Sequence, residues 1–195
     1  MFQMNSSNQA LPSNVMEVKR TAKQNGFVNS CMDEVGLLLR TLAAQVRCGK
    51  IGEIGTGYGI GASWIIAALT PDSEFITIDN DVEKIRAVVR YITGSNIKVV
   101  HGDWKEILKS QPFDLLFADG GKAKELEPDL LFAALKVGGT ILLDDLTPIE
   151  LWPDEWKGKE DLVRKYWLQH PKMYSTELRV TPEQAVIIGV KISNE

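Results

Sequence analysis

The 195-residue sequence predicts an α/β fold: a doubly wound, mostly parallel seven-stranded sheet whose last strand runs antiparallel. Three observations carry that expectation. Short β-rich runs alternate with helical segments, the pattern of right-handed crossovers between parallel strands. A glycine-rich stretch, "EIGTGYGIGAS", lies between the first strand-like run and the next helix, where such folds surround a nucleotide. Two final strand-like runs are separated only by "TP", and a turn that short joins antiparallel neighbours.

The elements follow in order. After a polar, frayed start, "NVMEVKRTAKQNG" and "DEVGLLLRTLAAQVRCG" read as helices, the second with apolar residues at 35, 38, 39, 42, 43 and 46. The glycines at 26 and 49 mark their ends. Strands are then expected at "KIGEI", "EFITID", "IKVV", "FDLLFA" and "GTILLD", with helices from about Ile60, at "DVEKIRAVVRYI" and at "KELEPDLLFAALK". A Trp-rich loop, "TPIELWPDEWKG", leads to a helix at "KEDLVRKYWLQH" and then to the hairpin "KMYSTELRV"/"EQAVIIGVKI". No repeat or long linker divides the chain, so residues 1–195 are expected to form one domain, with N-terminal helices over 1–49 and the core over 50–195.

Composition narrows the function classes. The net charge of −4 offers no basic footprint for nucleic acid. No apolar run approaches the roughly 18 residues of a membrane span, and the N-terminus lacks a basic segment followed by an apolar one. Cys31 and Cys48 lack CxxC spacing and read as buried thiols. The expectation is a cytoplasmic protein acting on a small molecule.

Gly55, Gly57, Gly59 and Gly61 leave the backbone unobstructed beside a strand end and a helix start. "GYGIGA" also satisfies the dinucleotide pattern G-x-G-x-x-G/A, which keeps a nicotinamide or flavin enzyme open. Asp79 ends the second strand about twenty residues on, where a carboxylate accepts from ribose hydroxyls; capping the next helix is the alternative. Asp103 ends the third strand, placed to accept from an adenine amine or to cap the helix after it. Asp119 ends the fourth strand and Asp144 and Asp145 end the fifth, so all three belong at the same carboxyl edge of the sheet. Three acids at one edge suggest a hard divalent cation such as Mg²⁺, Ca²⁺ or Mn²⁺; solvated loop acids are the alternative.

These residues carry a resemblance. "EIGTGYG", "ID", "HGDW", "FDLLFADGGK" and "GGTILLDD" look like the successive motifs of class I S-adenosylmethionine-dependent methyltransferases with their Rossmann-like fold, and are most similar to the small-molecule O-methyltransferases of the caffeoyl-CoA and catechol type. The likeness covers about residues 33–192. It implies S-adenosyl-L-methionine as cofactor, with Glu53 near its methionine portion, Gly55, Gly57 and Gly59 beside it, Asp79 on the ribose, Asp103 and Trp104 at the adenine, and Asp119 facing the reacting end. It implies a cation held by Asp119, Asp144 and Asp145, although Asp145 stands where that family has Asn. Lys122, in D-x-x-K spacing from Asp119, matches the family's general base, and Asp119 shares the catalytic role.

The expected activity is therefore methyl transfer to a hydroxyl of a small aromatic, catechol-like acceptor, with a divalent cation assisting. A binding protein without turnover and a nicotinamide-dependent oxidoreductase are the competing readings; none of the four tyrosines has the Tyr-x-x-x-Lys pair of short-chain oxidoreductases. His101 and His170 read as structural. Leu146, Trp152 and Trp156 read as a lid over a flat substrate or as ordinary packing. By family analogy, the N-terminal helix invites homodimerisation.

Overall fold

The structure is a computed structural model that describes residues 11–27 and 31–194; the polar start expected before residue 11 lies outside that range. Seven strands form one sheet in the order β3-β2-β1-β4-β5-β7-β6. β1 (Lys50–Ile54), β2 (Glu74–Asp79), β3 (Ile97–His101), β4 (Phe113–Ala118) and β5 (Leu135–Leu146) run parallel. β6 (Met173–Arg179) pairs with the last strand, β7 (Ala185–Lys191), and β7 pairs antiparallel with β5. The last strand thus inserts between β5 and β6. The strand order turns back at β1 and β4, where the crevice beyond the carboxyl ends opens.

Alternate strand residues feed two cores. Ile51, Phe75, Leu115, Phe117 and Leu142 pack beneath α1 (Ser13–Gln24), α2 (Asp33–Gln45), α3 (Ile60–Ile66) and the end of α4 (Val82–Val88), with Trp64 fully enclosed. Ile54, Ile76, Ile78, Leu116, Ile141 and Leu143 pack on the other face against α5 (Gly121–Leu126), α6 (Pro128–Ala133) and α7 (Leu162–Gln169), around Trp167. Burying each such large side chain contributes about 1.5–3 kcal/mol, which holds both layers to the sheet. Parallel strands covered on both faces read as unbroken apolar runs, as "FDLLFA" does.

α1 stops at Gln24, two residues before the Gly26 expected to mark its end. Gly26 has φ +69°, its N–H donates to the Lys23 carbonyl, and the Phe27 N–H donates to Ala22. That paired geometry reverses the chain and delivers Phe27 to the crevice.

Four local expectations change. The segment "KELEPDLLFAALK" is two helices: Pro128 has no N–H to continue the first and starts the second. The helix from Val82 tightens into a 3₁₀ turn at Val89–Tyr91. The helix from Asp33 stops at Gln45, before Cys48 and Gly49. Cys48, with φ +51°, is exposed because it lies in that turn; Cys31 is buried as expected.

Candidate active site

A cavity of about 480 Å³ opens at the carboxyl ends of β1, β2, β4 and β5. The glycine loop forms one wall. Gly55 has φ +96°, and a Cβ there would stand 2.8 Å from the Gly120 backbone nitrogen, so only glycine lets β1 and β4 exit this close together. Thr56, Gly57, Tyr58, Ile60 and Gly61 continue the wall. Asp79 also lines it and organises the loop: Oδ2 accepts from the Gly57 N–H at 2.7 Å, and Oδ1 from the Asp81 N–H at 2.9 Å. The cap of α4 falls to Asp81, which accepts from Glu83 and Lys84, so Asp79 is free of that duty.

Glu53 lies under the loop and is absent from the cavity lining. Its Oε2 accepts from Thr77 Oγ1 at 2.5 Å, Thr77 is 2.6 Å from Thr56 Oγ1, and Oε1 has no partner. Burial pushes the Glu53 carboxyl well above the usual range, partly offset by the Thr77 hydroxyl. Its reach to the cavity runs through Thr56.

Asp103 and Trp104 also lie outside the lining. Asp103 caps the 3₁₀ turn Trp104–Ser110 by accepting from Lys105, and Trp104 packs against the second core. The Gly102 N–H donates to the Asp79 carbonyl at 3.0 Å, which sets this turn directly beside Asp79. Gly59 opens α3 in the left-handed region and is likewise absent from the lining.

The acidic edge does assemble. Asp119, Asp144 and Asp145 each bring a carboxylate oxygen within 4.8 Å of the others. Asp119 and Asp145 line the cavity, while Asp144 is fully buried behind them. Asp145 has φ +60°, a left-handed twist that Asp tolerates. Asp144 Oδ1 accepts from the Asp145 N–H at 2.8 Å and from Gln184 Nε2 at 2.6 Å; Oδ2 is buried with no partner. Burial raises the Asp144 carboxyl to about 6, against the lowering effect of its hydrogen bonds and Lys124. Burial and then the other two carboxylates hold Asp119 well above its ordinary value. Three hard oxygen donors, one of them orphaned and buried, fit a Mg²⁺-like cation.

Lys122 is exposed on the first turn of α5 and is not in the lining. The buried lysine is Lys124, which donates to the Asp144 carbonyl. Residues two apart on a helix face opposite ways, so exposing one buries the other. Sequence reasoning missed Lys124, as well as Phe27, Met32, Lys84 and Gln184, all four of which line the cavity. Lys84 is paired with Asp81 at 3.3 Å and stands over the Phe27 ring.

Trp152 and Trp156 form an edge-to-face pair, and Trp152 Nε1 donates to the Thr147 carbonyl at 3.1 Å. Neither ring lines the cavity. His101 contacts the Asn80 carbonyl and His170 packs against Phe132 and Tyr166, both structural roles. Among the described residues no helix is long and apolar enough to cross a membrane.

The fold and this site define a doubly wound α/β protein in which a glycine loop and an acidic edge meet at one cavity. Residues 53–146 match the family described as "Methyltransferase domain". A provisionally named O-methyltransferase of Mycobacterium ulcerans (strain Agy99) is 26% identical over 127 residues, 60% of this chain and 56% of that protein. The chain thus spans little more than half the length of the curated relatives it matches. Two solved structures share the fold: a provisionally named O-methyltransferase from Klebsiella pneumoniae (TM-score 0.79, 16% identity, 96% of this chain and 93% of that one), and TomG from Streptomyces achromogenes, an O-methyltransferase of tomaymycin synthesis in complex with SAM (TM-score 0.77, 17% identity, 96% and 93%).

Proposed function

We propose that this protein is an S-adenosylmethionine-dependent O-methyltransferase that acts on a hydroxyl of a small, flat aromatic acceptor with the help of a divalent cation. One observation carries the reading: the glycine loop with Asp79 and the carboxylates of Asp119 and Asp145 face the same cavity. The proposed nucleoside cradle and an acidic, cation-compatible edge thereby share one cavity. The cofactor would supply a methyl carbon activated by positive sulfur, and the chain's part would be to align the acceptor oxygen and take its proton.

The chain's residues have three tasks in that reaction. Asp79 and the Gly57 amide hold the ribose end, with Asp103 beside them for the adenine amine. Asp119, Asp144 and Asp145 hold the cation, which would orient the acceptor oxygen and favour its deprotonation. Lys122 is the residue we assign to take the proton; it stands exposed three residues past Asp119, outside the lining, and would have to turn inward to do so. The absence of phosphates in this cofactor agrees with a cavity whose lining carries three carboxylates and one lysine already paired to Asp81.

Calorimetric titration with S-adenosylhomocysteine and with NADH tests the cofactor; failure to bind the former overturns the proposal. Methylation of a panel of catechols is then measured with Mg²⁺ and with a chelator. Activity is expected to need the metal and to fall in Lys122→Ala, whereas chelator-resistant turnover removes the cation. Binding without turnover on any acceptor favours a non-catalytic binding protein.

A further inference from the structure

We infer that Gln184 is a positioning residue for the cation site: its side-chain amide holds one oxygen of Asp144 so that the other is left to bind the cation. This rests on the cation-assisted reading above.

The hydrogen bonds on Asp144 are all on one side. Gln184 Nε2 at 2.6 Å and the Asp145 N–H at 2.8 Å both donate to Oδ1, and no group donates to Oδ2. A free carboxylate would rotate to share two donors between its oxygens, because a buried oxygen without a donor costs about 1–3 kcal/mol. Here both donors fall on Oδ1 of a carboxylate that clusters with Asp119 and Asp145, so its buried Oδ2 is the oxygen left without a donor.

Gln184 is itself held. Its N–H donates to Thr181 Oγ1 at 3.0 Å, and its carbonyl accepts from the N–H groups of Val180 at 3.0 Å and Thr181 at 3.2 Å. The turn between β6 and β7 is thus bonded to itself, and the side chain projects from a fixed base into the cavity, which it lines. A support of that kind suits an outer partner of a metal ligand. The amide also brings a donor without a charge. A lysine or arginine there would compete with the cation; the buried ammonium nearby, Lys124, is directed to the Asp144 main-chain carbonyl and leaves the carboxylate oxygens alone.

The test measures Mn²⁺ binding to the full chain by electron paramagnetic resonance, with S-adenosylhomocysteine affinity measured in parallel. Gln184→Met keeps the volume and removes the donor, and Gln184→Ala removes both. Each is expected to weaken Mn²⁺ by about 10- to 100-fold, the usual effect of losing an outer-shell partner, with S-adenosylhomocysteine affinity unchanged. In an Asp144→Asn background, Gln184→Met is expected to add no further loss. Unchanged Mn²⁺ affinity in both single variants overturns the role of Gln184 and leaves the cation reading standing. Equal loss of Mn²⁺ and S-adenosylhomocysteine also overturns it, since that marks a general support of the fold. A native protein that binds no Mn²⁺ overturns the cation reading and this inference together.

Discussion

The acidic cluster should weaken the protein it belongs to, and replacing Asp144 by Asn is the perturbation that shows it. Asp144 titrates near 3.8 when unfolded and at about 6 in the folded chain, chiefly because it is buried. Its folded state therefore binds the proton more tightly. Below about pH 4 both states are protonated and nothing is lost; between about pH 4 and pH 6 the unfolded state ionises first; above that the full penalty stands. The rise from 3.8 to about 6 corresponds to about 3 kcal/mol at neutral pH. Asn keeps an oxygen for Gln184 and Asp145 and places an N–H donor near the two remaining carboxylates. In chelator, Asp144→Asn should thus be more stable than the native protein by about 3 kcal/mol at about pH 8, a rise in melting temperature of roughly 6–12 °C for a chain of this size. At about pH 4 the two should nearly coincide. Saturating Mg²⁺ should reverse the order at high pH, because only the native cluster gains binding energy. Urea and thermal unfolding at both pH values provide the assay. Equal destabilisation of Asp144→Asn at both would refute the argument from burial.

Three further changes test other parts of the site. Asp79→Ala removes the acceptor of the Gly57 amide and the proposed ribose contacts, and should weaken S-adenosylhomocysteine by at least about 10-fold in calorimetry, at 1.5–3 kcal/mol per charge-assisted bond. Gly61→Ala puts a Cβ 2.5 Å from Glu53 Oε1 and 2.9 Å from the Phe117 ring, and should cost about 1–3 kcal/mol in urea unfolding. Arg164→Met leaves the Asp161 and Glu177 carboxylates without their cation, leaves Trp152 Nε1 as the donor to the Thr147 carbonyl, and should cost about 3–5 kcal/mol, read by thermal unfolding.

Much of this architecture is legible in the sequence because its signals are local. Apolar runs, the glycine loop and "TP" each report one strand end or turn, and successive acids at strand ends share an edge by topology alone. That logic predicts the cluster that Asp119, Asp144 and Asp145 form in the structure. It could not say which of Lys122 and Lys124 turns inward, since that depends on how a short helix broken at Pro128 sits on Trp167, whose Nε1 reaches the Lys124 carbonyl. It could not find Gln184, because "TPEQ" is an ordinary turn and its value lies in a partner forty residues away. Phe27 had a faint signal: an aromatic after a helix-ending glycine is carried sharply away from its helix. Asp103 had two readings in sequence, and the bond it accepts from the Lys105 N–H is the plainer one, the helix cap.

The placement of the last strand ties these points together. β7 is the final strand of the chain, yet it occupies an interior position between β5 and β6. Asp144 is near the end of β5, and its second hydrogen bond comes from the turn that enters β7. The carboxylate is therefore neither fully enclosed nor fixed until the C-terminal hairpin docks, since the antiparallel ladder from Thr140–Val190 to Leu146–Ala185 is what brings Gln184 to it. Burial that raises the proton affinity of Asp144 and orientation that leaves Oδ2 without a donor thus arise in the same step. A buried oxygen kept without a partner is a net cost to folding unless something binds it, so the topology that completes this fold also sets the one oxygen on which the proposed cation reading depends.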